Sequence, residues 1–369
     1  MRILHVVNSL EPGGMENGVV NMARALEPRG HEIHIACLER PGQFAERLPS
    51  PARVYVLGKS GGFSAGAAAR LARLIARVQP HVVHSHNLGA LIYSGIATLG
   101  GMRCPLLQGE HAHLTAEERS PRRLHQRRWL YRACAGIHTV SAPMRDELLA
   151  LGFPAAKITV IPNGVDTAHF APGDRTAVRR IFDLPSDALV VGIVGRFGPY
   201  KRHDALLDAF DLLAPRLSLL HLLLAGAGGS EEQRTRDRAA ASPHRDRIRI
   251  AGYQGDPRAC YQALDLLAVP STNEGMSNAA LEAMSSGVPV LGNSGCGHEQ
   301  IISHDADGVI ADLASAEALA VQLSLLLSPP ARLAEMGLAA RKKIETHFSI
   351  EHMVTAYERL YRRLAPHAP

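Results

Sequence analysis

Glu274 and Glu282 are separated by seven residues in a stretch whose residue types suit a sugar joined to a phosphate. The apolar run 264–269 reads as a strand that ends at Pro270, and a polar loop follows. A helix is expected from about Ser277, with Ser277 or Asn278 as its N-cap and Gly287 and Pro289 beyond its end. Amides and dipole at such a helix start favour an anion, and Gly275 leaves room for close approach. Glu274 would sit in the loop and Glu282 about one turn inside the helix, so both can accept hydrogen bonds from the hydroxyls of one ligand. The amides around Gly275, Met276, Ser277 and Asn278 would hold its phosphate. A capped surface helix with two solvated glutamates fits the spacing equally well.

Arg196 and Lys201 flank a Gly-Pro turn after the run 189–194, where two cations can converge on phosphate oxygens. Their position at a strand end favours this over ordinary charge at a helix start. Gly226 lies in a Gly-x-Gly at another strand end, and Gly252-Tyr253 follows the next one. A tight turn without ligand explains either as well. In the first half, Gly13 and Gly14 permit a close backbone approach, followed by Glu16.

With 19 histidines in the chain, no single one stands out by type. His5 and His34 fall inside strand patterns and read as core or sheet-face residues. His84, His86 and His111 fall at strand ends, with Glu110 placed to orient an imidazole and His86-Asn87 suited to an acceptor pocket. Asp305-Ala-Asp307 spells a metal-binding triplet, but it lies in a polar run between two apolar pairs that reads as a hairpin turn. No metal ligand set is expected, and no cofactor.

In this order, Gly13-Gly14-x-Glu16, the 108–113 segment, Gly195-Arg196-x4-Lys201 and Glu274-x7-Glu282 resemble the motifs of the family-four retaining glycosyltransferases over nearly the whole chain. The resemblance implies the GT-B fold, two Rossmann-like doubly wound α/β domains facing across a cleft. It implies that Glu274 contacts the donor sugar, Glu282 the ribose, and the amides of 275–278 the sugar and diphosphate. Arg196 and Lys201 would neutralise the departing diphosphate without a metal. Gly226 would line the nucleotide pocket, Tyr253 lie near the base, and Gly14 reach over the donor phosphate. His111 would contact the donor sugar, with His113 its nearest rival, and Glu16 would belong to the acceptor side. Donors would be UDP- or GDP-sugars. Residues 13–18 resemble exopolysaccharide-associated members, which implies a glycan or polyprenyl-linked acceptor. A sugar-nucleotide epimerase or a non-catalytic nucleotide-sugar-binding protein would suit the same fold.

These loops need a scaffold, and the chain supplies short β-branched runs alternating with amphipathic stretches. Runs at 2–7, 31–37, 53–57, 81–85, 105–108, 136–140 and 157–161 form one strand series; 189–194, 219–225, 247–250, 264–269 and 288–291 form another. Helices are expected at 18–27, 65–79, 142–150, 201–213, 277–286, 316–327 and 331–345. Pro162, Asn163 and Gly164 punctuate the join, giving domains 1–165 and 166–349. An amphipathic segment at 350–364 is expected to pack back on the first domain, with 350–369 as its tail.

At 369 residues, 46% hydrophobic and 20% charged, the composition suits two globular domains and excludes long disorder. Five scattered cysteines without a C-x-x-C pair suit reduced thiols, and no apolar run reaches the ~20 residues of a membrane span. A cytoplasmic enzyme is expected. A net charge of +5 is too small to imply nucleic acid. The arginine-rich segment 119–132 around Trp129 suits either an anionic membrane surface or a docked helix with solvated arginines.

Overall fold

The computed structural model describes residues 1–99 and 104–368. The chain divides into two compact units, Met1–Gly164 with Ile350–Pro369, and Val165–Ser349.

The first unit runs β1 (Arg2–Val7), α1 (Gly14–Leu26), β2 (Glu32–Cys37), β3 (Val54–Val56), α2 (Ala65–Val78), β4 (Val82–His86) and α3 (Asn87–Leu99). It continues with β5 (Leu106–Glu110), α4 (Pro121–Ala133), β6 (Gly136–Thr139), α5 (Ala142–Ala150) and β7 (Ile158–Val160). The strands form one parallel sheet in the order β3-β2-β1-β4-β5-β6-β7. Runs such as Ile3, Leu4, Val6 and Val7 are buried on both faces, as a helix-covered parallel sheet requires. Local capping agrees with this layout: the Ser64 and Ser141 hydroxyls accept the amides of Ala67 and Met144 to start α2 and α5.

The second unit runs α6 (Arg175–Ile181), β8 (Leu189–Val194), α7 (His203–Leu213), β9 (Leu220–Ala225), α8 (Glu232–Ala240) and β10 (Ile248–Gly252). It continues with α9 (Arg258–Ala263), β11 (Leu266–Val269), α10 (Asn278–Ser285), β12 (Val290–Asn293), β13 (Gly308–Ala311), α11 (Ala316–Leu326) and α12 (Pro330–His347). Its sheet is parallel in the order β10-β9-β8-β11-β12-β13. A last helix, α13 (Ile350–Leu364), belongs to the first unit, where Met353, Val354, Tyr357, Leu360 and Tyr361 share a core with Val19, Met22 and Leu26 of α1.

Four expectations are corrected. The second sheet has six strands rather than five, because β13 pairs parallel to β12, Val290 opposite Gly308. The polar run before it is therefore not a hairpin: Ile301 and Ile302 close a turn instead of forming a strand. The first helix starts at Gly14, since extended Gly13 serves as its N-cap, so Gly14 and Glu16 lie in its first turn. Lys201 ends a separate 3-10 turn, and Arg202 at φ +58° breaks the chain before α7. No helix among the described residues is long and apolar enough to cross a membrane. All five cysteines are free, and burial raises the thiols of Cys37, Cys134 and Cys260 to about 12.

Candidate functional site

Each sheet reverses its winding at one place, between β1 and β4 in the first unit and between β8 and β11 in the second. Ligands of open α/β sheets gather beyond the strand ends at that reversal. In the second unit the two loops concerned carry Arg196 and Lys201 after β8 and Glu274 after β11. Thr272 donates its amide to the Tyr200 carbonyl at 2.9 Å, which ties the loops together. The Lys201 ammonium then pairs with Glu274, both largely shielded from water. The cation and the first glutamate thus neutralise each other, and a bound anion would have to share Lys201 with that carboxylate. Arg196 is exposed, and its guanidinium has no partner among the described residues.

Beyond the loop, Ser277 is the N-cap of α10, its hydroxyl accepting the Ala280 amide at 3.3 Å. Gly275, Met276 and Ser277 are buried and Asn278 half-buried, with the first-turn amides at the loop. Gly297 must be glycine for this loop to sit as it does: its φ is +79°, and a Cβ there would lie 2.9 Å from the Gly275 carbonyl. Glu282 is 8% exposed and accepts the Tyr261 phenol at 2.7 Å. Burial and this carboxylate raise the Tyr261 hydroxyl well above its ordinary value, so it stays a donor.

Tyr261 was not signalled by the sequence. It reaches Glu282 from α9, 21 residues earlier, and no local pattern links them. Asn293 and His298 were missed for the same reason; His298 Nδ1 lies 3.0 Å from the Asn293 carbonyl. Asn293 donates to the Ser271 carbonyl at 3.1 Å and accepts the Leu313 amide at 3.0 Å, pinning the end of β11. Gly226 has a backbone role, since a Cβ would meet the Gly195 carbonyl at 2.0 Å. Tyr253 is 47% exposed just after Gly252, whose φ is +67°.

Asp305 and Asp307 stand apart from these loops: they precede β13, whereas the loops follow β8 and β11, so in a parallel sheet they lie at the opposite end of the strands. Asp305 accepts Arg332 at 2.7 Å, while buried Asp307 accepts the Ser303 amide at 2.7 Å and Lys343 at 3.1 Å.

In the first unit, the Glu16 carboxylate folds back over Gly13, where a Cβ would lie 2.2 Å from its Oε2. Gly14 opens the same helix turn, and Asn87, at φ +64°, starts α3 directly after His86. His86 Nδ1 lies 2.9 Å from His111 Nε2, and His86 Nε2 lies 3.0 Å from His5 Nδ1. His84 links His138 and Tyr361 at 2.8 Å each. Burial lowers His5 to about 3 and His111 to about 4, and holds His84, His86 and His138 well below the ordinary range. All five are neutral at pH 7. His138 was missed because it lies in the middle of an apolar run.

One expectation here is corrected. Glu110 orients no imidazole; it accepts Arg127 at 2.5 Å and Tyr131 at 2.6 Å, which draw it to α4. His113 Nδ1 lies 2.6 Å from the Glu147 carboxylate. Helix α4 buries Arg127, Leu130 and Tyr131 within the unit, while Arg122, His125, Arg128, Trp129 and Arg132 line its exposed side.

Comparison with known proteins adds the following. A family model described as Glycosyltransferase Family 4 matches residues 12–169, and one described as Glycosyl transferases group 1 matches residues 174–343. The D-inositol 3-phosphate glycosyltransferase of Rhodococcus opacus is 34% identical over 214 residues, 56% of this chain and 48% of that protein. Its counterpart from Nocardia farcinica is 30% identical over 278 residues, 70% of this chain and 61% of that protein. The chain spans about half the length of the first relatives it matches. Among solved structures, Anabaena HepE in complex with UDP-glucose superposes with a TM-score of 0.87 at 21% identity, covering 98% of this chain and 100% of that one. Sucrose-phosphate synthase from Thermosynechococcus elongatus gives 0.84 at 20% identity, with 100% of both chains covered. At these identities the likeness speaks for the fold, which is GT-B.

Proposed function

Because this chain belongs to the glycosyltransferase family that these two models describe, family 4 in its first half and group 1 in its second, we propose that it transfers a sugar from a nucleotide diphosphate sugar to an acceptor. The observation that carries this reading is the loop pair at the winding reversal of the second sheet. There Lys201 meets Glu274, and Tyr261 fixes Glu282 beside the start of α10.

In this reading Glu282 accepts from the ribose hydroxyls and Glu274 from the sugar. The amides of 275–278 hold the diphosphate, Tyr253 lies near the base, and Gly226 shapes the pocket floor. Negative charge grows on the departing diphosphate, and prearranged cations there are worth most in the transition state. Arg196, Lys201 and the dipole of α10 supply that charge, so no metal is needed at the diphosphate. His111, neutral, hydrogen-bonds the donor sugar. The acceptor enters on the face the diphosphate leaves, a phosphate oxygen takes its proton, and configuration is retained.

UDP is the favoured base, because the HepE structures hold UDP and UDP-glucose; GDP is the alternative. We propose a glycan or lipid-linked acceptor, handled by Gly14, Glu16, His86 and Asn87. The exposed stripe of α4 gives such an acceptor a basic, Trp-bearing face to approach.

The test is calorimetric titration with UDP, GDP, ADP and their sugars in EDTA, followed by NMR of the product anomer. Selective binding of one nucleotide and a retained anomer are expected. No binding by any nucleotide to the folded chain overturns the site, and an inverted product overturns the stereochemistry.

A further inference from the structure

Five imidazoles share one face of the first sheet. They come from four neighbouring strands: His5 on β1, His84 and His86 on β4, His111 just after β5, and His138 on β6. Register makes the gathering necessary. His5 lies opposite His84, and Gly109 lies opposite both His86 and His138, so one row reads His-Gly-His across three strands. Residues two apart on a strand share a face, which adds His84 and His111 above and below.

Gly109 leaves the middle of that row empty. A Cβ there would lie 2.5 Å from His138 Nε2 and 2.9 Å from His111 Nε2, so the two nitrogens converge on the space a side chain would fill. The second nitrogens of His138 and His86 have outer partners that aim these rings inward. Tyr357 lies 3.4 Å from His138 Nδ1, and His5 Nδ1 lies 3.0 Å from His86 Nε2. Metal-bound imidazoles commonly carry such a partner on the second nitrogen. His5 Nε2, fully buried, has no hydrogen-bond partner among the described residues.

We propose that His86, His111 and His138 bind one divalent transition-metal ion of the zinc class. Their ligand atoms lie within 4.8 Å of one another, and half-buried His111 leaves a side open for a fourth ligand. Three imidazoles with one open position suit zinc, and the set holds neither the thiolates that select softer ions nor the carboxylates that select harder ones. Buried neutral rings offer their lone pairs without a proton to lose. Without an ion, the same nitrogens pair with one another, His86 with His111 at 2.9 Å and His84 with His138 at 2.8 Å. His86 and His111 also enter the transferase reading, but the metal site rests on ring geometry alone, and cobalt absorption reads it with no donor or acceptor present.

The full chain, without a histidine tag and stripped with EDTA, is titrated with Co2+ and then Zn2+. One equivalent of Co2+ should develop tetrahedral d–d absorption, which Zn2+ displaces. His138→Gln and Gly109→Ala should abolish it, and Tyr357→Phe should weaken binding ~10–100-fold. No such absorption in the wild type overturns the proposal, as does an unchanged signal in His138→Gln. If the variants do not fold, X-ray absorption of the wild-type cobalt form decides: three imidazole ligands support the site, and a carboxylate or thiolate shell overturns it.

Discussion

Tyr261 holds Glu282 from inside the core, its phenol donating to Oε2 across 2.7 Å. The glutamate's carboxylate is therefore aimed before any ligand arrives, and the phenol does that work from a position only 1% exposed. Tyr261→Phe keeps the ring and removes only the donor. A hydrogen bond to a charged group is worth ~1.5–3 kcal/mol, so nucleotide affinity should fall about 10- to 150-fold. Glu282→Ala should lose at least as much. Calorimetry with UDP reads both, and wild-type affinity in Tyr261→Phe would refute a positioning role.

Lys201 and Glu274 share a charge rather than a fixed geometry with the nucleoside, so their removal should appear in the rate. Lys201→Ala removes stabilisation of the departing diphosphate and should lower kcat by about 10- to 150-fold, with a smaller change in donor KM. Steady-state kinetics with the nucleotide sugar checks this. Wild-type kcat in Lys201→Ala and unaltered donor binding in Glu282→Ala would together remove these loops from the reaction.

What the sequence made legible was local. Glu274, Arg196 and Lys201 lie on strand-end loops and Glu282 in the helix after one of them, and strand ends follow from β-branched runs and the glycines and prolines after them. Ser277 was readable as a cap because capping depends on residues three apart. Partners supplied by the sheet were not readable. The Lys201–Glu274 pair spans 73 residues, and the His84–His138 pair depends on register between strands 54 residues apart. Strand β13 escaped because the polar run between Ile301-Ile302 and Val309-Ile310 reads as a hairpin turn, while its parallel pairing with β12 leaves no local sign.

Arg127 is fully buried yet charged. Its guanidinium donates to Glu110 at 2.5 Å and to Glu118 at 2.7 Å, while Tyr131 adds a hydrogen bond to Glu110 at 2.6 Å. Glu110→Ala leaves a buried cation short of a partner, which typically costs ~3–5 kcal/mol. Urea denaturation should show that loss without any change in UDP affinity. A variant as stable as the wild type would refute the network's structural weight.

The exposed side of α4 offers a different reading of the same helix. Arg122, Arg128 and Arg132 flank Trp129, which is 52% exposed. The apolar side of the helix is committed to the core, so adhesion to a membrane would rest on charge and one indole. Each arginine near an anionic surface contributes about 1 kcal/mol. Replacing all three by Gln should therefore weaken binding to phosphatidylserine vesicles about 100-fold or more, with zwitterionic vesicles unaffected. Equal sedimentation of variant and wild type with anionic vesicles would show that α4 is simply solvated.

His203 sets an acid limit to stability. The ring is 2% exposed, neither nitrogen has a hydrogen-bond partner among the described residues, and Phe197 packs against it with centroids 4.5 Å apart. Burial, helped by the nearby Lys201 charge, lowers it to about 4 from 6.5. Between those values the unfolded chain binds a proton that the folded chain refuses, so stability is intact above pH 6.5 and falls as pH drops toward 4. At ~1.4 kcal/mol per unit the loss is roughly 3 kcal/mol. His203→Leu removes the proton site and fills the space with apolar atoms. Its unfolding free energy should decline less than that of the wild type between pH 7 and pH 4.5, by about 2–3 kcal/mol in urea titrations. Parallel declines in the two proteins would place the acid sensitivity on other groups.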